Sequence, residues 1–406
     1  MQKHPLEGIR VIDFTTVLAG PYMTEWLGVM GAEIIKIETN SRLSDRLALA
    51  RSSKPRYVGV NESYSFALNN YSKKSITLNM KQPKAVELTK ELVKISDIVT
   101  ENFGGSVMDQ WGLGYEELKQ HKPDIILFSG SGYGRTGPRK EFPGYAPIVD
   151  AFTGLTSVNG YIDGKPVPLG SYGWTDMIQA LNGTFAILAA LNHRLETGEG
   201  QYIDAAMTES NANFMGELFM DYTMNDKVGK PVGNRDSIMA PHGCYRCQGD
   251  DKWVAIAVSS EQEWEAFKHA IGNPEWTKKE EFSDELSRWK NQEQLDNLIE
   301  EWTKKHDHYE VMKILQEAGV MAGASLDLAE VVNDRQLNER EFFFDMEHPL
   351  MKKLHLARLP WKLSDTPRGN YYCAPLLGEH NDYVFGKLLG MPKEEVTQLE
   401  KEKVIY

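Results

Sequence analysis

The sequence predicts an α/β protein: a doubly wound, Rossmann-like parallel sheet in a large domain, accompanied by a smaller α/β domain. Three observations carry this. Strand-like and helix-like patterns alternate through the first half of the chain. The strand–helix–strand units close within roughly thirty residues, the length of a right-handed parallel crossover. And 406 residues exceed a single hydrophobic core, so two domains are expected.

Taken in order, residues 9–14 (IRVIDF) read as a strand and 15–20 (TTVLAG) as the loop that leaves it. Pro21 suits the first turn of a helix running to about Met30, and Glu33–Glu38 (EIIKIE) is the second strand. Residues 42–64 are polar and irregular. Residues 75–80 (SITLNM) form a strand, Pro83–Lys94 an amphipathic helix, and 98–99 a short strand entering the loop ENFGG. Tyr115–His121 is a turn or two of helix, and 124–129 (DIILFS) is a strongly apolar strand. Ligands of such sheets gather at the carboxyl ends of strands, here residues 15–20, 101–105 and 130–137.

The stretch 171–207 reads as one long helix followed by a strand at 201–205 (QYIDA). Apolar side chains recur at Ile178, Leu181, Phe185 and Leu188, and neighbouring alanines widen the stripe until a fully buried helix is expected. Gly198 supplies the left-handed stop. Asp176 stands at the start. Followed by Gln179 three residues on, it fits a capping box. The same place suits a nucleophile, a carboxylate held ionised by the helix dipole, with Gly173 and Trp174 allowing close approach and excluding water. Spacing does not choose between them.

Beyond Met207 the composition shifts. Residues 225–235 (NDKVGKPVGNR) read as a linker, followed by a hairpin and by charged, Trp-containing helices at 262–271 and 294–305, with another helix at 309–318. The expected division is therefore 1–224 for the first part of the large domain and 225–344 for the small one. Residues 345–406 return to the large domain and end in a solvated Lys/Glu helix.

Composition bounds the function. A net charge of −13 argues against a general nucleic-acid or membrane-surface role but leaves room for a local basic pocket. Three cysteines suit a reducing compartment, and with no signal-peptide or membrane-spanning pattern the cytoplasm is the expectation. Cys244 and Cys247 make a lone CxxC in a strand, a poor zinc site. No metal is expected. Gly132, Gly134 and Gly137 match GxGxxG after a strand, yet Pro138 and Pro143 follow where a dinucleotide-binding helix would have to begin, which argues against nicotinamide binding.

The residues themselves resemble the family III CoA-transferases (CaiB/BaiF), the group containing formyl-CoA and carnitine CoA-transferases. The matches are PLEGIRVIDFTTVLAGP with GAEIIKIE, then KKSITLNMK, SDIVTENFGGSVMDQWGL, GYGRTGP, ALNHRLETGEGQYIDAAM and PLLGEHNDYV, in family order over nearly the whole chain. The resemblance implies that Asp176 is the catalytic nucleophile. Asp176 would attack an acyl-CoA to give a mixed anhydride, then an aspartyl-CoA thioester that a second carboxylic acid resolves. It implies CoA and acyl-CoA as substrates with no tightly bound cofactor, and an interlocked homodimer. Implied CoA contacts are Val17, Leu18 and Ala19, Leu78 and Lys81, and Asn102, Phe103 and Gly104. Tyr145 matches an active-site tyrosine. Two arginines of the formyl-CoA enzyme are Thr39 and Gln110 here, so Arg42, Lys73, Lys74, Arg135 and Arg139 are the alternatives for the phosphates. Ala240–Gly243 (APHG) replaces that enzyme's glycine-run loop, which puts oxalate as acceptor in doubt. The alternative is the 2-methylacyl-CoA racemase branch, which uses a His–Asp pair. Tyr145 takes the histidine's place here, and a neutral phenol is a poor base near pH 7.

Overall fold

The structure is a computed structural model that describes residues 3–39, 43, 46, 59–162, 164–170 and 173–406. Backbone contacts divide the chain into two units: 1–155, 169–227 and 342–406 in the first, 156–168 and 228–341 in the second. The excursion 156–168, expected in the large domain, thus clusters with the small one.

The apolar runs of the first unit become six parallel strands: β1 (Arg10–Asp13), β2 (Glu33–Glu38), β3 (Lys74–Thr77), β4 (Ile98–Glu101), β5 (Ile126–Ser131) and β6 (Tyr202–Ala206). Their order across the sheet is β3-β2-β1-β4-β5-β6. The register sets Val11 beside Ile34 on one side and Ile98 on the other. Because strand side chains alternate, Ile12, Ile35, Ile76, Val99 and Leu127 build one core with helix residues Leu88, Leu92 and Leu118. Val11, Ile34, Ile98, Ile126 and Phe128 build the core on the other face with Met23, Leu27 and Ile187. Strands buried on both faces need the nearly continuous hydrophobic sequence seen here. The strand order reverses between β1 and β4, so their outgoing loops diverge and leave a crevice at the carboxyl edge.

Two helices matter for that crevice. Helix α1 (Ala19–Val29) starts directly after the β1 loop, and α2 (Trp174–Thr197) packs along it. The buried face of α2 is formed mostly by small residues, Ala180, Gly183, Thr184 and Ala190, with Ile187 and Leu191, rather than by the stripe around Leu181 and Phe185. At Gly183 even a methyl group would sit 2.5 Å from the Met23 sulfur, so close packing selects that face. Phe185 and Leu195 are left 74% and 85% exposed. The expectation of a fully buried helix is corrected: of the apolar stripe that periodicity located, Leu181 and Phe185 are exposed, Ile178 is half-buried and Leu188 packs partly against the core.

Near the C-terminus the expected solvated helix, Lys393–Lys401, buries Val396 and Leu399, and Val404 and Ile405 beyond it are also buried. The backbone N–H of Asn79 donates to the Val404 carbonyl, and Thr77 exchanges hydrogen bonds with Tyr406. The chain end therefore covers the β3 edge, which would otherwise present unpaired backbone groups.

The second unit is a three-stranded antiparallel sheet, β7 (His242–Arg246), β8 (Trp253–Ala257) and β9 (Met321–Ser325), in the order β7-β8-β9. Trp264, Phe267, Phe282, Leu295, Ile299, Val311 and Leu315 of its helices fill one core with Val254 and Ile256. Cys244 is exposed and Cys247 buried, and both are free thiols.

Candidate active site

The loops leaving β1 and β4 are joined at the switch point. The Asn102 side-chain amide donates to the Thr16 carbonyl at 2.8 Å and accepts from the Thr16 N–H at 2.7 Å. Beneath them Asp13, wholly buried at the end of β1, accepts from Thr15, Thr24 and Thr100 and lies 3.4 Å from the Lys73 ammonium. Burial alone would raise its pKa, but Lys73, Lys36 and Thr15 outweigh that and hold the carboxyl below its ordinary range. This fixed charge anchors the start of the 15–18 loop. Val17, next in line, adopts a left-handed backbone (φ 71°), a conformation that costs a β-branched residue free energy and clusters at functional sites.

Over these loops lies a cavity of about 380 Å³. Val17, Ala19, Asn102, Phe103, Gly104, Tyr145 and Asp176 of the expected residues line it. A neighbouring hollow of about 210 Å³ shares Thr16, Phe103 and Trp111 with it and is lined further on by Leu78 and Lys81. Phe103 and Trp111 meet edge to face at 5.5 Å between centroids, forming an aromatic wall common to both. Loop crossings bring Tyr145 in: Gly132 and Gly144 touch backbone to backbone, where a Cβ on either would come within about 3.0 Å of the other's Cα.

Asp176 does not cap its helix. The N-cap is Gly173, left-handed at φ 62°, and no side chain caps the turn. Gln179, the supposed partner of a capping box, instead donates to the Ala205 carbonyl and accepts from Ser210. The Asp176 carboxylate accepts the Ala19 backbone N–H, and burial together with the nearby Asp150 charge pushes its pKa up to about 6. Burial and Asp150 thus work against the ionisation expected of a carboxylate at the start of a helix. The group is still mostly ionised at neutral pH, and a poorly solvated carboxylate is more reactive than a hydrated one.

Sequence reading missed Asp150, a buried acid whose carboxylate receives the Thr175 hydroxyl and, at 3.5 Å, the Asn211 amide. Its one signal was an acidic residue inside the apolar helical run 146–152 (APIVDAF). Ser131, Gln179 and Met207 also line the cavity. Other expectations need correction. Leu18 does not line the cavity; it packs where Gly173 would carry a Cβ. Arg135 points to Glu101 and the Gly105 carbonyl, along a different hollow. Lys73 is wholly buried against Asp13, Lys74 pairs with Glu33, and Arg139 stacks over Phe152. Lys81 is exposed beside the smaller hollow. Arg42 lies outside the described residues.

A doubly wound sheet with a shielded carboxylate in a cleft at its switch point defines a class, an α/β protein with the frame of an enzyme's active site. Comparison with known proteins narrows it. The sequence profile of CoA-transferase family III matches residues 6–381, and the chain belongs to that family. It is 33% identical over 403 residues to a succinyl-CoA–L-malate CoA-transferase β subunit of Chloroflexus aurantiacus, covering 99% of this chain and 98% of that protein. A succinyl-CoA–D-citramalate CoA-transferase of the same organism is 30% identical over 402 residues, with 99% and 98% covered. The crystal structure of a CAIB/BAIF family protein from Brucella suis superposes with a TM-score of 0.86 at 29% identity, covering 96% of this chain and 100% of the other. The protein is therefore an enzyme that transfers CoA between an acyl-CoA and an acid. The racemase alternative is not favoured, since both named relatives are transferases.

Proposed function

We propose that Asp176 is the nucleophile and that it carries CoA between two carboxylic acids through covalent intermediates. One Asp176 oxygen attacks the thioester carbonyl, the C–S bond breaks, and CoA leaves as thiolate, giving an acyl–aspartyl anhydride. The thiolate attacks the aspartyl carbonyl and expels the donor acid, leaving an aspartyl-CoA thioester. The acceptor carboxylate attacks that thioester, and the returning thiolate takes the new acyl group and restores Asp176. Every leaving group is a carboxylate or a thiolate, so no external proton donor is required. The Ala19 N–H and the first amides of α2 are the donors at hand for the developing oxyanions. The observation that carries the reading is the position of Asp176 itself, sheltered in the switch-point cleft and not engaged as a cap.

The thioester end of CoA then lies along Val17, Ala19, Asn102, Phe103 and Gly104, and the rest of the molecule follows the aromatic wall toward Leu78 and Lys81. Three described cations line that hollow: Lys36 and Arg46 are buried against Thr15 and Glu38, and Lys81 is the exposed one, free to meet a phosphate. The two relatives' names make short dicarboxylic and hydroxy-dicarboxylic acids the first substrates to try, with succinyl-CoA as donor. The exposed bulky stripe of α2, with Phe214 and Met224 at 67% and 73% exposed, supports a homodimer, since monomers rarely leave such residues uncovered together. A panel of acyl-CoA donors and acceptor acids followed by mass spectrometry tests the activity, with hydroxylamine trapping the acylated protein. The expected adduct is an aspartyl hydroxamate at Asp176; turnover with a hydroxamate elsewhere, or with none, sinks the assignment.

A further inference from the structure

We propose that Arg135 and Glu101 form a clamp that holds the CoA-binding loop 102–104 in shape, so that Arg135 is a positioning residue and not a phosphate ligand. The inference rests on the reading of the cleft as the CoA site. Glu101 closes β4 with its side chain fully buried. One of its oxygens accepts the Phe103 N–H at 2.8 Å, and the other meets the Arg135 guanidinium. A second guanidinium nitrogen donates to the Gly105 carbonyl. The segment 103–105, whose Phe103 and Gly104 line the cleft, is thus tied down at both ends, through the Phe103 N–H and the Gly105 carbonyl.

Arg135 is itself held. Its backbone N–H donates to both Asp204 carboxylate oxygens, at 2.9 and 3.1 Å, and Asp204 belongs to β6. A continuous chain of hydrogen bonds therefore runs from β6 through the loop after β5 to the loop after β4. The guanidinium borders a hollow of about 500 Å³ shared with Tyr115 and Tyr202, distinct from the cavity that holds Asp176. A buried carboxylate with a single charged partner depends on it: without Arg135, burial drives a proton onto Glu101, and the Gly105 carbonyl loses its donor. The 102–104 loop then samples conformations that CoA must reorder on binding.

The test is calorimetric titration of free CoA into the wild type and Arg135→Met, with steady-state kinetics and thermal melts alongside. The clamp predicts a Kd for CoA about tenfold weaker and a KM for acyl-CoA raised in parallel, with kcat changed less than about threefold, because the loop binds and does not react. Arg135→Lys keeps the charge but not the two-pronged reach, and is expected to recover part of the affinity. The double variant Glu101→Gln/Arg135→Met leaves no unpaired buried charge. It is the one to read if the single variant does not fold, and its loss should match the single loss rather than add to it. CoA bound within twofold of wild type by a folded variant overturns the clamp, whatever its melting temperature. A wild-type protein that does not bind CoA overturns the reading of the cleft as well, and the two failures are told apart by that control.

Discussion

Asn102 holds Thr16 by both faces of one residue's backbone, donating to its carbonyl and accepting from its N–H at 2.8 and 2.7 Å. The pair staples the loops on either side of the sheet's switch point, and the cleft floor is built on that staple. Replacing Asn102 by Ala leaves both Thr16 groups without that partner, at a cost of about 1–3 kcal/mol. Loop 15–19 should loosen. The expected result is a KM for acyl-CoA raised on the order of tenfold with a smaller effect on kcat, measured by steady-state kinetics. An unchanged KM would remove the staple from the account.

The Asp176 carboxyl, raised to about 6 by burial and by Asp150, predicts the acid side of the pH profile. Only the ionised form attacks, so kcat/KM should fall about tenfold per pH unit below roughly pH 6. Asp150→Asn removes the neighbouring charge and should move that limb to lower pH. A limb that stays in place in the variant would show that Asp150 does not act on the nucleophile.

The same shift has a stability consequence. A carboxyl that binds its proton more tightly when folded stabilises the fold below the unfolded pKa of about 3.8 and loses that contribution as pH rises through about 6. Asp176→Asn should therefore melt higher than wild type above pH 6, by on the order of 1–2 kcal/mol, with the gap closing below about pH 4. Differential scanning calorimetry at pH 8 and pH 4 measures both ends; a variant less stable at pH 8 contradicts the cause assigned to the shift.

Gly173 shows how closely the nucleophile is framed. A Cβ there would lie 2.5 Å from an Asp176 oxygen, on a backbone at φ 62° that L side chains rarely adopt. Gly173→Ala should destabilise by about 1–2 kcal/mol and lower kcat more than it raises KM, since it displaces the reacting group and not the CoA loops. Denaturant melts with kinetics separate the two effects.

The exposed stripe on α2 bears on assembly. Phe185→Asp together with Leu195→Asp places two charges where apolar side chains now stand uncovered. Light scattering at micromolar concentration should find a dimer for wild type and a monomer for the variant. A monomeric wild type would leave the stripe unexplained.

Much of this fold could be read from the residues because the inner strands β1, β2, β4 and β5 are buried on both faces and leave a nearly unbroken apolar signal. Glu33–Glu38 and Pro83–Lys94 match the expected elements end to end. What could not be read was direction. Helical periodicity in 174–197 finds the stripe of Leu181 and Phe185 but cannot say that glycine and alanine form the buried side, because that depends on how closely α1 approaches. Cation roles were equally opaque. Arg135, Lys73 and Lys74 are equivalent charges in sequence, and only the fold shows each engaged with Glu101, Asp13 or Glu33. Asp150 and Asp176 lie far apart along the chain, so their electrostatic coupling has no local signature.

The most direct measurement follows oxygen. With an acceptor acid labelled in its carboxylate with ¹⁸O, a single turnover of the enzyme first charged with donor acyl-CoA should deposit one labelled oxygen in the peptide containing Asp176, because the acceptor's bridging oxygen stays on the protein when the new acyl group leaves with CoA. Label at Asp176, and none in Asp176→Asn, is the predicted result; efficient CoA transfer with an unlabelled protein would contradict the covalent role on which the account stands.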